Sequence, residues 1–460
     1  MPAQPTDRPH SLLTAWAIAD ADRTVVGTRD DPAAIILENH NKPRVLAIGR
    51  LSEVAAHPAA NPEASSETSE SARIDSGNAV ILPALANAHT HLDLSAIGPR
   101  PHDPEGSFVP WVNMIRAERP TDPHAIAEAV ARGVAMSELG GVAAVGDIAG
   151  APMGVPSLAA AEALARGSLH GVSFVEFFAI GTTEHERFEA FRGLMEEAAA
   201  RRAPGRVRLG IQPHAPNTVS LWAYRRACEL AAAADLPLMT HLAESADEQR
   251  FVADAEGPQR ELLESLGLWT EELAGTLGRG LSPVEHLGPV LSEASVAAVH
   301  VNQCSDADLQ QLARTRTPVV YCPRASDYFG AARRFGPHRY RDMLAAGLPV
   351  AIGTDSIVNL PPGTDRLSTL DEMRYLFKRD ATDPSALLGM ATVHAAGVLG
   401  MPRSGFELAE GSEPLGLIAV EIEPWSDEPL AAVLRSGSPP RWLWRSSQRR
   451  NSAVRGRADR

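Results

Sequence analysis

The sequence predicts an α/β protein: a (β/α)8 barrel of the TIM type with a small β-sandwich domain built from both chain ends. Three observations favour this fold. From residue 79 onward, short apolar runs alternate with amphipathic helical segments over about 300 residues, which indicates a parallel sheet of about eight strands. No Gly-rich phosphate turn follows the first of these strands, although an open doubly wound sheet usually has one. Short β-like runs also precede and follow this region.

The two chain ends predict the smaller domain. Residues 11–50 contain short apolar runs separated by Asp, Asn, Pro and Gly turn signals, and similar runs return after residue 405. The segment 55–77 is rich in Pro, Ala and Ser, so we expect no core element there. The expected organisation is a β-sandwich domain over 1–82 plus 405–440, a barrel domain over 83–404, and a disordered basic tail over 441–460.

The composition of the chain limits the classes of partner that the protein is expected to bind. The chain has 460 residues and a net charge of −14, and an acidic protein repels the phosphates of nucleic acids. No apolar run approaches the roughly 20 residues that cross a bilayer. The N-terminus lacks the pattern of a signal peptide, and the three cysteines form no C-x-x-C motif. We therefore expect a cytoplasmic protein with neither nucleic acid nor membrane as a partner.

The first chemical motif is His89-Thr90-His91, directly after an apolar run. Alternate residues of a strand point to the same side, so both imidazoles face one way. They would lie at the carboxyl end of a barrel strand, where barrel active sites form. Alone, such a pair of histidines is a weak indication of function.

Four further apolar runs end in a histidine or an aspartate, and the set is His214, His241, His300 and Asp355. Random placement of the 15 histidines of the chain would seldom produce this pattern. Imidazole and carboxylate suit a divalent ion such as zinc or ferrous iron. Three histidines and one aspartate, with room for water, are typical of a catalytic rather than a structural metal site. A metal in such a site lowers the pKa of the water it binds.

Five motifs together resemble the amidohydrolase superfamily, and they read NAHTHLDLS, PHAPNTVS, THLAES, CPRASDYFG and GTDS. The resemblance is to the branch that contains aminodeoxyfutalosine, S-adenosylhomocysteine and adenosine-type deaminases and the triazine chlorohydrolases. It implies a distorted (β/α)8 barrel with a β-sandwich, and it also implies a homodimer. It covers the chain from about residue 10 to about residue 430.

The resemblance also implies roles for the strand-end residues. One divalent metal, with zinc favoured over ferrous iron, would be bound by His89, His91, His241 and Asp355. The catalytic residues would be Glu244, which carries protons to the ring nitrogen, His300, which orients the water, and Asp355, which helps to activate it.

Lysine content limits the number of metals. Binuclear relatives bridge two metals with a carboxylated lysine on a barrel strand, but this chain has only Lys42 and Lys378. Lys42 lies in the N-terminal β region, and Lys378 is predicted on a helix after the eighth strand. We therefore expect a single metal.

The substrate is less constrained by the sequence. The resemblance places His214, Trp111, Glu176 and Ser326 near the substrate, with Arg116 close to Trp111. Trp111 is equally typical of a residue on the packed face of a helix, and Glu176 could form an internal hydrogen bond instead. Ser326 stands where relatives commonly have histidine, so substrate specificity is open at that position.

The expected function is that of an aminohydrolase that acts on carbon–nitrogen bonds of cyclic amidines. Its substrate would carry an adenine-type ring, with aminodeoxyfutalosine first and S-adenosylhomocysteine, methylthioadenosine or adenosine next. The alternative is a chlorohydrolase or another amidohydrolase that acts on a triazine- or pyrimidine-like ring. Release of ammonia or of chloride separates the two. A decayed, non-catalytic scaffold would have lost Glu244, His300 or Asp355, and all three are present.

Overall fold

The computed structural model describes most of the chain, namely residues 10–38, 43–60, 72–106, 108–201, 205–423 and 426–445. The chain forms two compact units, one of Met1–Ala84 with Ser404–Arg460 and one of Leu85–Arg403. In the described part, no helix has the length and apolar character that crossing a membrane requires.

The N-terminal part of the first unit consists of short strands and one short helix, α1 (Leu51–Val54). The strands are β1 (His10–Ala15), β2 (Ala17–Ala19), β3 (Thr24–Val26), β4 (Ala33–Glu38), β5 (Arg44–Arg50), β6 (Ala72–Asp75) and β7 (Ala79–Pro83).

The second unit is built around eight parallel strands. They are β8 (Leu85–Thr90), β9 (Val142–Ala149), β10 (His170–Phe177), β11 (Val207–Pro213), β12 (Leu238–Leu242), β13 (Val296–His300), β14 (Val319–Tyr321) and β15 (Val350–Ile352). Each strand pairs with the next along the chain. An isolated parallel bridge between Thr90 and Asp355 joins the last strand end to the first, so the predicted parallel barrel is confirmed.

Helices connect these strands. They are α2 (Val109–Glu118), α3 (Pro123–Leu139), α4 (Ala159–Arg166), α5 (Glu184–Arg201), α6 (Leu221–Ala234), α7 (Ala246–Asp254), α8 (Pro258–Ser265), α9 (Glu271–Thr276), α10 (Pro283–His286), α11 (Gly288–Glu293), α12 (Asp306–Thr315), α13 (Pro323–Tyr328), α14 (Ala331–Phe335), α15 (Tyr340–Ala345), α16 (Thr369–Asp380), α17 (Pro384–Met390) and α18 (Val393–Val398). Lys378 lies on α16, whereas Lys42 lies outside the described residues.

Local sequence explains why these elements form where they do. Helix α3 begins after Asp122, whose carboxylate accepts hydrogen bonds from the backbone of His124 and Ala125, and a proline occupies its first turn. Strand β9 is buried along its whole length, as expected for a barrel strand covered on both faces. Asp147 is the one charged residue of β9, and because it is buried, its carboxyl group needs hydrogen-bond or ion-pair partners.

The chain then returns to the first unit with β16 (Gly416–Glu421), α19 (Pro429–Arg435) and β17 (Arg441–Arg445). One sheet has the order β5-β4-β1-β6, and the other has the order β17-β16-β7-β2-β3. A single apolar cluster contains buried residues from both sheets, among them Leu13, Ile35, Ile81 and Leu417. Strands from both chain ends therefore share one core.

Two expectations about the chain ends are wrong. The basic tail was expected to begin at residue 441, but Arg441–Arg445 forms β17, which pairs with β16. The physical reason is the apolar content of this segment, since Leu443 and Trp444 are buried in the shared core. Residues 446–460 lie outside the described part. The segment 55–77 also contains a sheet element, because β6 pairs in parallel with β1.

Candidate active site

The carboxyl ends of the barrel strands bring four histidine rings together. His89 and His91 come from the end of β8, His241 from β12, and His300 from the last residue of β13. The ring centroid of His89 lies 5.0 Å from that of His91, 5.1 Å from that of His241 and 5.7 Å from that of His300. Residues far apart in the sequence share one site because parallel strands all end on the same side of a barrel.

Asp355 joins this cluster from the loop after β15. Its Oδ1 atom lies 3.6 Å from His91 Nε2. The backbone N–H of Ser356 donates to Oδ1 (2.8 Å), and the side-chain amide of Asn359 donates to Oδ2 (2.9 Å). Asp355 has a φ of 55°, a conformation that is costly for a non-glycine residue and is often found at functional sites. Its carboxylate is therefore held in a fixed orientation toward the histidines.

The possible ligand atoms of the described residues form three groups, each spanning at most 4.8 Å. The groups are His89 with His91 and His241, Glu176 with His214 and His241, and Glu244 with His300 and Asp355. His241 belongs to the first two groups, and the contact between His91 and Asp355 links the first group to the third. All four residues that the sequence predicts as ligands are thus close together in the structure.

The residues present fit a divalent metal ion. Both ring nitrogens of His89 and Nδ1 of His91 are buried without a hydrogen-bond partner in the described part of the chain. His241 Nδ1 donates to the backbone carbonyl of His214 (3.0 Å), which leaves the Nε2 lone pair of His241 available as a ligand. Buried polar atoms are normally paired, so a cluster of unpaired imidazole nitrogens indicates a cation site.

The histidines of this cluster are neutral. Burial lowers the pKa of His89, His91 and His300 well below the ordinary value, and neighbouring imidazoles lower it further. Burial likewise lowers the pKa of His241 to about 3. Neutral rings offer lone pairs, which is the state in which imidazole binds a metal.

Glu244 lies beside His300, with its Oε1 atom 3.4 Å from His300 Nε2. Burial raises the pKa of Glu244 well above its usual value, and the nearby Asp355 and Glu248 raise it further. Burial also raises the pKa of Asp355 to about 7. A cation next to Asp355 would oppose that shift by favouring the carboxylate. Glu244 can therefore hold a proton near neutral pH, as a general acid must.

Glu248 supports the turn that carries Glu244. Its buried carboxylate accepts hydrogen bonds from the backbone N–H groups of Ala243 (2.9 Å) and Glu244 (2.7 Å). Ala243 has a φ of 52°, so these bonds fix a strained turn. The sequence interpretation missed Glu248. Its spacing from Ser245, which caps α7, is the Ser-x-x-Glu pattern of a helix start and could have drawn attention to it.

The backbone of His300 is held by a second buried histidine. His300 has a φ of 75°, and its carbonyl accepts a hydrogen bond from His338 Nε2 (2.7 Å). The backbone N–H of Tyr340 in turn donates to His338 Nδ1 (3.0 Å). His338 was not singled out from the sequence, since nothing local distinguishes it from other histidines.

Glu176 and His214 lie on another side of the same barrel end. Glu176 Oε2 accepts from the backbone N–H of Ala151 (3.2 Å), and Glu176 Oε1 lies 4.0 Å from His214 Nε2. His214 Nδ1 and the Thr218 hydroxyl are hydrogen-bonded (2.7 Å), and the same hydroxyl lies 3.1 Å from the Ala215 carbonyl oxygen. His214 Nε2 and Glu176 Oε1 thus face each other across a gap of 4.0 Å.

Trp111 and Ser326 contact the site indirectly. Trp111 Nε1 donates to Asn359 Oδ1 (3.2 Å), and the amide of Asn359 donates to Asp355. The Ser326 hydroxyl donates to Asn302 Oδ1 (2.7 Å), and Asn302 Nδ2 donates to the carbonyl of Glu244 (3.0 Å). Two asparagines that the sequence interpretation missed thus connect predicted substrate residues to predicted catalytic ones.

The arginine expected near Trp111 is a different one. Arg116 is exposed on α2, whereas Arg119, the residue just after that helix, is largely buried. Arg119 Nε donates to Asp93 Oδ2 (2.7 Å). The expectation for Arg116 is wrong because the turn that ends α2 directs Arg119, and not Arg116, toward the barrel. That direction depends on packing and not on local sequence.

A small cleft that is partly open to solvent adjoins Glu244. Its lining combines aromatic side chains, Phe108, Phe329 and Phe335, with the polar side chains of His102, Asp247 and Arg334. Aromatic surface with convergent polar groups beside a catalytic carboxyl group is compatible with a small-molecule site.

Comparison with known proteins gives consistent matches. The chain is 31% identical over 328 residues to an aminodeoxyfutalosine deaminase of Deinococcus radiodurans. The aligned region covers 68% of this chain and 72% of the relative. The structure is similar to that of an aminofutalosine deaminase of Helicobacter pylori in complex with methylthio-coformycin, with a TM-score of 0.70, 19% identity and coverage of 94% and 97% of the two chains. It is also similar to an atrazine chlorohydrolase of Arthrobacter aurescens complexed with zinc, with a TM-score of 0.66, 18% identity and coverage of 93% and 91%.

The family profile covers most of the chain. Residues 80–423 match the profile of the amidohydrolase family, a superfamily whose members bind a divalent metal. This range includes every barrel strand and each residue of the histidine cluster. The chain belongs to the amidohydrolase family.

Proposed function

We propose that this protein is a metal-dependent aminohydrolase that removes the amino group from an adenine-type ring. The observation that carries the proposal is the meeting of His89, His91, His241 and Asp355 next to the protonatable Glu244. Aminodeoxyfutalosine is the first candidate substrate, because a relative of 31% identity carries that activity in its name. S-adenosylhomocysteine, methylthioadenosine and adenosine are the next candidates.

The metal in this proposal is zinc, with ferrous iron as the alternative. Three neutral imidazoles and one carboxylate form the ligand set that both ions accept. When bound, the ion supplies activation of water near neutral pH. The single-metal prediction rests on the absence of a lysine from the barrel strands, since Lys378 lies on α16 and Lys42 precedes the barrel.

Glu244 has the role of proton donor to the ring. A carboxyl with a raised pKa holds its proton until the ring nitrogen beside the attacked carbon becomes basic, and then transfers it. Glu248 keeps this carboxyl in place through the backbone of residues 243 and 244. The short distance from Glu244 to His300 lets the two groups share the protons of the reaction.

Asp355 and His300 have the role of accepting and passing on the proton of the attacking water. Asp355 is oriented by Ser356 and Asn359, and His300 by the hydrogen bond from His338 to its carbonyl. His300 is a neutral imidazole, and a cation beside Asp355 favours its carboxylate form, so each group has a lone pair that can take a proton. The leaving amine departs with the proton delivered to it.

The substrate side consists of His214, Trp111, Glu176 and Ser326, as the sequence predicts, together with the small cleft beside Glu244. Glu176 Oε1 lies 4.0 Å from His214 Nε2, and a carboxyl oxygen beside an imidazole suits a substrate that presents hydroxyl groups such as those of a sugar. The runner-up function keeps the same metal site and releases chloride from a triazine- or pyrimidine-like ring, as the name of one structural neighbour suggests.

Three broader proposals accompany this function. The two sheets of the first unit form a β-sandwich, as their shared core suggests. The cytoplasm as the compartment and a homodimer as the assembly remain predictions from the sequence and the resemblance.

The decisive experiment is a screen for ammonia release with protein reconstituted with zinc or ferrous iron. Its substrates are aminodeoxyfutalosine, S-adenosylhomocysteine, methylthioadenosine and adenosine, with chlorinated triazines assayed for chloride. We expect ammonia from at least one 6-aminopurine and no chloride. Chloride release without ammonia release would establish the runner-up, and activity on neither set would refute both.

A further inference from the structure

The guanidinium of Arg119 is a fixed buried cation among acidic side chains at the barrel end. Its Nε donates to Asp93 Oδ2 (2.7 Å), and its Nη1 lies 3.9 Å from Glu176 Oε2. The Asp93 and Glu176 side chains are 1% and 3% exposed, so solvent screens neither charge. A buried carboxylate without a cation is strongly disfavoured. Arg119 therefore gives the carboxyl group of Glu176 a cationic neighbour inside the barrel end.

A third buried acid, Asp147 of β9, shares the same cation. Asp147 accepts hydrogen bonds from the Leu92 backbone (3.0 Å) and the Ser173 hydroxyl (3.1 Å). Both Asp147 and Glu176 stabilise the charged form of Arg119. One guanidinium thus interacts with three buried carboxyl groups, and losing it would leave the Glu176 side chain without the cation that faces its Oε2 atom.

Gly150 provides the space that Arg119 occupies. A Cβ atom placed on Gly150 would lie 1.5 Å from Arg119 Nη2 and 2.1 Å from its Cζ. The obstruction would come only from the end of a long flexible side chain, not from backbone. Alanine at this position would therefore displace the guanidinium and leave the barrel backbone in place.

We propose that Arg119 is a positioning residue that fixes Glu176 for recognition of substrate hydroxyl groups, and that Gly150 makes this position possible. Glu176 Oε2 is occupied by the Ala151 N–H, while Oε1 faces His214 across 4.0 Å. The Oε1 atom of Glu176, held in this position, offers an acceptor to a sugar hydroxyl. The inference rests on the proposed function, because it assigns the sugar of a nucleoside substrate to this side of the site.

The test compares binding of purine riboside, which has no amino group to lose, with binding of its 2′-deoxy and 3′-deoxy analogues. Calorimetry on the full-length zinc-loaded protein gives the dissociation constants, and metal analysis and thermal melting accompany each protein. The variants are Arg119→Met, Arg119→Lys and Gly150→Ala. The matched control is Arg116→Met, which removes an exposed arginine from the neighbouring helix α2.

We expect the wild-type protein to bind the riboside about 10- to 100-fold more tightly than at least one deoxy analogue, since the hydroxyl bonds to a buried carboxyl group. Arg119→Met and Gly150→Ala should both abolish most of this preference while metal content is unchanged. Arg119→Lys should be intermediate, because lysine keeps the charge without the planar fork. Arg116→Met should match the wild type.

The inference is overturned if the wild-type protein binds the riboside no more tightly than its deoxy analogues, or if Arg119→Met keeps the preference for the riboside. It is also overturned if Gly150→Ala keeps this preference while Arg119→Met loses it. If Arg119→Met does not fold, the Gly150→Ala and Arg119→Lys variants decide. Ammonia release is scored separately. A protein that deaminates but shows no hydroxyl preference refutes only this inference, whereas a preference without deamination refutes only the proposed reaction.

Discussion

Two sides of the barrel end contrast in how their polar groups are paired. On the metal side, His89 and His91 have buried ring nitrogens without hydrogen-bond partners in the described chain. On the charged side, Arg119 forms ion pairs with Asp93 and Glu176, and Glu176 accepts from the Ala151 backbone, although Arg119 Nη2 and Asp93 Oδ1 have no hydrogen-bond partner in the described chain. Unpaired lone pairs indicate a place for a ligand from outside the chain, whereas paired charges indicate groups that position one another.

We infer from this contrast that the metal side binds the ion and that the charged side orients the substrate. Both sides are buried and both contain acids, so burial alone does not distinguish them. The distinction lies in the kind of contact: the charged side contains ion pairs within the chain, whereas the ring nitrogens of His89 have no such contact in the described residues. It can be tested by substitutions that separate metal content from activity.

The largest expected effect comes from the metal side. His241→Ala removes a ring whose Nδ1 is already oriented by the carbonyl of His214, so we expect loss of the metal and activity below detection. Glu176→Gln on the charged side should keep the metal. Metal analysis by mass spectrometry checks both, with the exposed His124→Ala as control. Equal metal loss in the Glu176 variant would remove the distinction between the sides.

The next effect separates metal binding from proton transfer. Glu244→Gln keeps the shape of the side chain but cannot donate an acidic proton, so kcat should fall by about 10²- to 10⁴-fold with full metal content. Steady-state ammonia release measures it, and Glu256→Gln, at an exposed ion pair with Arg250, is the control. Retained turnover would contradict the proton-donor role of Glu244.

A third effect lies outside both sides and concerns acid stability. Burial lowers the pKa of His286 to about 4, so the folded chain resists a proton that the unfolded chain accepts below about pH 6.5. The stabilising contribution is present above pH 6.5 and is lost as pH falls toward 4, by up to about 3 kcal/mol. Urea unfolding at several pH values tests it. His286→Gln should flatten part of this slope, and an unchanged slope would show that His286 does not contribute.

The smallest expected effect concerns Glu248, which supports the turn that carries Glu244 on the metal side. Glu248→Gln replaces one acceptor oxygen with a donor that faces backbone N–H groups, so we expect a loss of about 1–2 kcal/mol in the free energy of unfolding. Because Glu248 supports the turn of Glu244, kcat should fall while metal content stays constant. Chemical denaturation and kinetics on the same samples measure both. A variant with wild-type kcat would show that the turn holds without this carboxylate.

Much of the site could be predicted because its residues sit at strand ends. His89, His91, His241, His300 and Asp355 each follow a short apolar run, and local pattern is enough to place a residue at the end of a strand. The parallel barrel then brings such ends together, so the prediction of the fold was also a prediction of proximity. The same local pattern failed for residues 441–445, where alternating tryptophans form a strand within a basic segment.

The residues that hold the site in shape could not be found in this way. Arg119 rather than Arg116 enters the barrel end because of how α2 packs, and Gly150 matters only because Arg119 lies across it. Asn359 and His338 act on residues far away in the sequence. By itself, the sequence determined which strand ends carry the chemistry, since strand periodicity is local. Only the tertiary structure decided which buried groups pair and which remain unpaired, because pairing depends on distances between elements that no local pattern encodes.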